Sequence, residues 1–173
     1  LKPVTRLLDL GGGPATYAIT FAQANPKLRA TVFDLPMPVE IARENIANNG
    51  LTDRVDTLAG NFLHDDIGTG YDFIWISQIL HSHDEEQCKF IIAKAVAALA
   101  PGGTLAIQDF YLNPDGVSPT GAAMFGVHML AVTPAGRAYT HTEVAQWMQA
   151  AGLTAPEFME SGMDASILVA KKK

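Results

Sequence analysis

The sequence predicts an α/β protein built on a doubly wound, mostly parallel, seven-stranded sheet, and three observations carry that prediction. Apolar strand-like runs alternate with helix-like periodic segments for most of the chain. The first strand ends in a glycine turn, Gly11-Gly12-Gly13. Residues 71–76 form a mostly apolar run of the kind buried on both faces of a parallel sheet.

Each element follows in order. Residues 6–10 are the short first strand. Pro14 then sits where a first helical turn tolerates a missing N–H, and residues 15–24 read as a helix stopped by Asn25-Pro26. Residues 30–33 are the second strand. A helix over 39–48 ends at Asn49-Gly50, a left-handed cap signal, and 55–59 is the third strand. After the fourth strand, residues 85–100 carry Cys88, Ile91, Ile92, Ala95, Val96 and Leu99 at the spacing of a core-facing helix stripe, which Pro101-Gly102-Gly103 breaks. Residues 104–110 are the fifth strand and 121–132 an inserted helix. Thr140 and Glu143 form a capping box for a helix over 142–151, closed by Gly152. Strands at 157–160 and 166–170 flank Ser161-Gly162 as a candidate hairpin. Ligands of such a sheet lie at the C-terminal strand ends, around the point where the strand order reverses.

Composition bounds the function. With 173 residues, 48% hydrophobic and 17% charged, the chain can bury the core of one domain. A net charge of -6 argues against a nucleic-acid footprint, and the basic run Lys171 to Lys173 reads as a solvated end. The apolar runs fall short of the about 18 residues a membrane span needs, so no membrane partner is expected. A lone cysteine, Cys88, excludes an internal disulfide and suggests a reducing, cytoplasmic compartment. Leu1 stands only a few residues before the first strand, without an initiator Met, so the chain is expected to be a piece of something longer.

Asp9-Leu10-Gly11-Gly12-Gly13 joins a strand to a helix, which lets a ligand approach the backbone closely and meet the free N–H groups of the helix N-terminus. A dinucleotide fingerprint would place Gly at position 16, where Thr16 stands, so a pyrophosphate cofactor is disfavoured. Asp34 ends the second strand about 20 residues after the turn, where a carboxylate accepts the two ribose hydroxyls of a nucleoside. The alternative is that Asp34 caps the helix opening at Pro36 or Pro38.

These runs, with Phe33-Asp34-Leu35-Pro36, Gly60-Asn61-Phe62, Ile79-Leu80-His81 before Asp84-Glu85-Glu86, and Leu99-Ala100-Pro101-Gly102-Gly103, resemble the catalytic domain of the caffeate and hydroxyneurosporene type O-methyltransferases. The resemblance spans nearly the whole chain. It implies a Rossmann-like methyltransferase fold with the last strand antiparallel, S-adenosylmethionine as cofactor, and a small, fairly apolar acceptor that is phenolic or polyketide- or isoprenoid-like. It also implies an upstream winged-helix domain, absent here, that makes a homodimer. It places Asp9, Gly11, Gly13, Asp34 and Leu35 on the cofactor, Asn61 and Phe62 beside the adenine, and Ser77 near the methionine end. The family usually has Asp at the Asn61 position, and plant members commonly have Lys at Ser77.

His81 follows the fourth strand at its C-terminal end, over the crevice of the glycine turn. A phenolic hydroxyl, with a pKa near ~10, is a poor nucleophile at neutral pH, and a neutral imidazole suits the removal of its proton. The resemblance gives His81 the role of base and Asp109 that of its acidic partner, where Glu is usual. The family's second acidic partner should fall where this chain has Ala138. His81-Ser82-His83 also offers two imidazoles in one loop, but the hydrolase signature that would use them requires Asp at 85 and His at 86, where Glu85 and Glu86 stand, so no metal is expected. Asp84 reads better as a helix N-cap, with Gln87 completing the box. His64, His128 and His141 are scattered and read as surface residues. Met124, Phe125, His128 and Met129 fall on one side of the inserted helix and, by the resemblance, wall the acceptor pocket; ordinary core packing explains them equally well. The rival functions are carbon methylation, a non-methylating use of the same cofactor, and an inactive cofactor-binding fragment.

Overall fold

The structure, a computed structural model, describes residues 4–160 and 165–173. The Ser161-Gly162 turn lies outside the described residues. Strands β1 (Arg6–Leu10), β2 (Arg29–Asp34), β3 (Val55–Ala59), β4 (Tyr71–Ser77), β5 (Leu99–Asp109), β6 (Glu157–Glu160) and β7 (Ser166–Lys171) form one sheet in the order β3-β2-β1-β4-β5-β7-β6. The first five pair in parallel, whereas β7 runs antiparallel to both β5 and β6. Helices α1 (Thr16–Ala24), α2 (Pro36–Asn48), α3 (Glu85–Ala98), α4 (Thr120–Val132) and α5 (His141–Ala150) make the connections. The chain winds outward from β1 to β3, then returns to lay β4 on the other side of β1. This reversal places the crevice between the C-terminal ends of β1 and β4.

Two apolar clusters sandwich the sheet. Leu7 and Val32 pack with Ala18, Ile19 and Ala42 of α1 and α2, while Leu8, Leu10, Ile74 and Ile76 pack with Ile91 and Ile92 of α3. Neighbouring residues of β1 thus serve opposite faces, as the two-residue period of a strand requires.

Most element boundaries fall within a residue or two of expectation, and four differences have a local reason. Ala15 does not open α1 but precedes it as a left-handed residue with φ 68°, so Pro14 stands in the turn rather than in the first helical turn. Helix α2 starts at Pro36, because proline at the first helical position lacks only an N–H that would have no intrahelical partner. Pro101-Gly102-Gly103 does not separate helix from strand. Leu99 already pairs with Tyr71, and the register resumes at Phe73 with Thr104, so these residues bulge within β5. Finally, α5 spans His141–Ala150 with Thr140 as its cap, the expected capping box with Glu143 being present.

Candidate active site

The turn after β1 is built from backbone. Gly11 and Gly13 have φ of 74° and 52°, which a side chain disfavours. A Cβ on Gly11 would collide with Ile79, whose Cγ1 lies 2.8 Å from that point, so the turn also needs glycine for close packing. A Cβ on Gly13 would meet nothing within 4 Å, so the turn opens there on free space. Ala15, closing the turn, adopts the left-handed backbone that glycine takes most readily.

Two carboxylates flank this turn in different roles. Asp34 Oδ2 accepts the Gly13 N–H at 2.8 Å and Oδ1 accepts the Leu35 N–H at 2.7 Å. Leu35, 51% exposed, is the N-cap residue of α2, which carries no side-chain cap, so Asp34 is not the helix cap. Asp9 is 1% exposed, and its Oδ2 accepts the Ala18 N–H of α1 at 3.1 Å. Burial, with the negative charge of Asp34 adding to it, pushes the Asp9 carboxyl up to about 7.

The loop after β3 borders the same turn. A Cβ on Gly11 would lie 3.8 Å from the Phe62 ring, so Phe62 edges the glycine backbone. Asn61 is engaged locally: its Oδ1 accepts the Leu63 N–H at 2.9 Å, while its N–H donates to Asp65. Ser77 closes β4, 8% exposed, its hydroxyl donating to Gln108 Oε1 at 2.8 Å.

His81 occupies a single 3₁₀ turn, Leu80–Ser82, directly beyond β4. Its Nδ1 lies 2.7 Å from Asp109 Oδ1 at the end of β5, and both residues are buried. The Phe110 N–H also donates to Oδ1, at 2.8 Å, and the His81 N–H to Oδ2, at 3.3 Å. A carboxylate accepts only, so Nδ1 carries the proton in this pair and the Nε2 lone pair is left to accept another. The fold fixes the turn from behind as well. A Cβ on Gly136 would collide with the His81 carbonyl oxygen and lie 3.0 Å from Ser82 Cα. Asp84 caps α3 in a full capping box with Gln87, whose Oε1 lies 3.2 Å from His83 Nδ1.

The four residues of α4 divide. Phe125 sets its ring edge-on to His81 at 4.8 Å and lies 4.3 Å from Phe110; Met129 is buried. Met124, 65% exposed, and His128 face outward. Ala138 lies against this helix, its Cβ 2.9 Å from where a Cβ on Gly126 would stand.

The geometry adds residues that the sequence reading passed over. Tyr17 donates its hydroxyl to Gln108 Oε1 at 2.6 Å, joining α1 to the ends of β4 and β5. Gln108 precedes Asp109 in β5 and pairs in register with Ser77; the strand period alone turns one of the two toward Ser77's face and the other toward His81. Burial pushes the Cys88 thiol up to about 12 and its Sγ donates to Leu80 O, so it packs rather than reacts. Among the described residues no three His, Cys, Asp or Glu side chains gather as a metal site, and no helix is long and apolar enough to cross a membrane.

Known proteins resemble this chain in sequence and in fold. The model of an O-methyltransferase domain family matches residues 1–154. A 3-hydroxy-5-methyl-1-naphthoate 3-O-methyltransferase of Streptomyces sahachiroi is 39% identical over 88% of this chain and 44% of its own length. An L-tyrosine C(3)-methyltransferase of Streptomyces lavendulae is 33% identical over 79% of the chain and 37% of its own. The solved O-methyltransferase family 2 protein of Planctomyces limnophilus, in complex with apigenin, superposes with a TM-score of 0.91 at 32% identity, covering 97% of this chain and 51% of that one. The chain thus spans about half the length, or less, of these relatives. By the match over most of its length, the chain belongs to the O-methyltransferase domain family.

Proposed function

We propose that this chain is the cofactor-binding and base-bearing domain of an S-adenosylmethionine-dependent enzyme that methylates a hydroxyl oxygen on a small, fairly apolar acceptor. The observation that carries the reading is the buried His81–Asp109 pair, 2.7 Å apart at the mouth of the crevice whose other wall is the glycine turn. When bound, S-adenosylmethionine supplies an electrophilic methyl carbon. The residues present suit such a nucleoside: the backbone opens on free space at Gly13, Asp34 keeps lone pairs beyond the two it gives to backbone N–H groups, and Phe62 offers an aromatic edge beside Gly11.

In this reading Gly11, Gly13, Asp34 and Leu35 border the ribose side, Asn61 and Phe62 the adenine, and Ser77 the methionine end. Asp9 holds the turn from below, through α1, and does not face the ligand. His81 takes the acceptor proton on Nε2 while Asp109 keeps the imidazole oriented and stabilises its charged form. Phe125 and Met129 offer the acceptor an apolar wall. Alignment of acceptor and methyl then supplies much of the rate. The whole protein carries a further domain through which it dimerises, and it works in the cytoplasm, where the unpaired Cys88 stays reduced.

Carbon methylation is the second reading. Ala138 leaves His81 with one carboxylate, and a relative at 33% identity bears the name of a carbon methyltransferase. Incubating the full-length protein with phenolic acceptors and labelled cofactor, and locating the methyl group by mass spectrometry, decides the matter. A product methylated on carbon overturns the oxygen reading.

A further inference from the structure

We infer that Gln108, supported by Ser77 and Tyr17, seats the amino-acid carboxylate of the S-adenosylmethionine cofactor; this rests on the cofactor reading above. The three side chains come from three elements that converge beside the crevice. Tyr17 stands in the first turn of α1, Ser77 ends β4, and Gln108 lies one residue before the end of β5. Ser77 follows Ile76, whose partner in the sheet is Leu10, the residue before the glycine turn. The cluster therefore borders the turn on the side away from Asp34, which is where the far end of a nucleoside-linked chain would lie.

The hydrogen bonding of Gln108 is unequal. Its side-chain oxygen takes both hydroxyl protons, from Tyr17 at 2.6 Å and Ser77 at 2.8 Å. Its amide nitrogen, with two N–H groups, has no acceptor among the described residues, although the residue is only 7% exposed. That nitrogen is not sealed in, since the one fully enclosed side-chain polar atom without a partner among the described residues is Trp75 Nε1. A buried primary amide held by two hydroxyls and left with free donors is preorganised for an anionic oxygen. The first-turn N–H groups of α1, which cannot have intrahelical partners, add positive potential beside it. A carboxylate bound here would use neutral donors throughout, with no ion pair.

The test compares three ligands on the full-length protein by calorimetry: S-adenosylhomocysteine, decarboxylated S-adenosylmethionine, and methylthioadenosine, which lacks the amino-acid end. Gln108→Glu keeps an acceptor for the two hydroxyls and replaces the donor by a carboxylate. It should weaken S-adenosylhomocysteine by about tenfold or more while leaving the two ligands without a carboxylate within about twofold. Tyr17→Phe, which removes one oxygen and is mild for folding, should produce a smaller loss with the same selectivity. Equal losses for all three ligands, or no loss for any, overturn the assignment. Wild-type protein that binds none of the three removes the cofactor reading itself, and this inference with it.

Discussion

The backbone N–H of Gly13 donates to Asp34 Oδ2 at 2.8 Å, tying the turn after β1 to the end of β2 across 21 residues of sequence. The carboxylate is thereby held at the rim of the crevice before any ligand arrives. Asp34→Ala should weaken S-adenosylmethionine binding by about 1–3 kcal/mol, through lost charge-assisted hydrogen bonds to ribose. Titration calorimetry checks this, and an unchanged affinity removes the ribose assignment.

His81→Ala in the full-length protein should lower kcat by about 10²-fold or more and leave cofactor affinity intact, because a base acts in the transition state. The loss should shrink as the pH nears the acceptor's own pKa, where the hydroxyl ionises unaided. Asp109→Asn should cost less, since it orients the ring without taking the proton. A pH–rate profile of the three proteins checks both points; near-normal turnover of His81→Ala at neutral pH sinks the base assignment.

Asp9 gives a dependence of stability on pH. Its carboxyl lies at about 7 in the folded chain against an ordinary 3.8, so the folded state keeps a proton that the unfolded chain has released. The stability from this group is full below about pH 4 and is lost as the pH rises through about 7. Asp9→Asn should therefore gain on the wild type as the pH rises across that window, by about 1–3 kcal/mol at its upper end. Urea denaturation at a series of pH values measures the difference, and a difference that does not change with pH contradicts the shift.

Gly136→Ala should damage catalysis from outside the crevice. The added methyl would strike the His81 carbonyl oxygen and crowd Ser82 Cα, both of them backbone. Stability should fall by about 1–3 kcal/mol and kcat by about tenfold or more, with cofactor affinity unchanged. Equal losses in cofactor affinity and kcat would show that the His81 turn is not what moved.

What the sequence shows and what it hides differ for a physical reason. The alternation of strands and helices, the crevice and the glycine turn follow from periodicity and punctuation, which are local, and the structure reproduces them. The meeting of His81 and Asp109 joins the ends of two strands, and family resemblance supplied it where spacing could not. The inserted helix shows the limit of a stripe: Met124, Phe125, His128 and Met129 share one side by count, yet the approach of Gly126 to Ala138 turns Phe125 and Met129 inward and leaves Met124 and His128 outside. Tyr17 and Gln108 stayed hidden because a buried amide is recognised by its partners, and these lie 91 residues apart.

The reversal of strand order at β1 and β4 also splits the site along the chain. The residues proposed for the nucleoside fall between Gly11 and Phe62, and those around the proposed base fall from His81 onward, the two stretches meeting where β1 pairs with β4. Gln108 apart, substitutions in the later stretch would thus alter the surroundings of the proposed acceptor while leaving the nucleoside's seat in place. Relatives named for oxygen and for carbon methylation, 39% and 33% identical to this chain, fit a nucleoside seat kept in the first third of the domain while the remainder, Ser77 and Gln108 apart, changes.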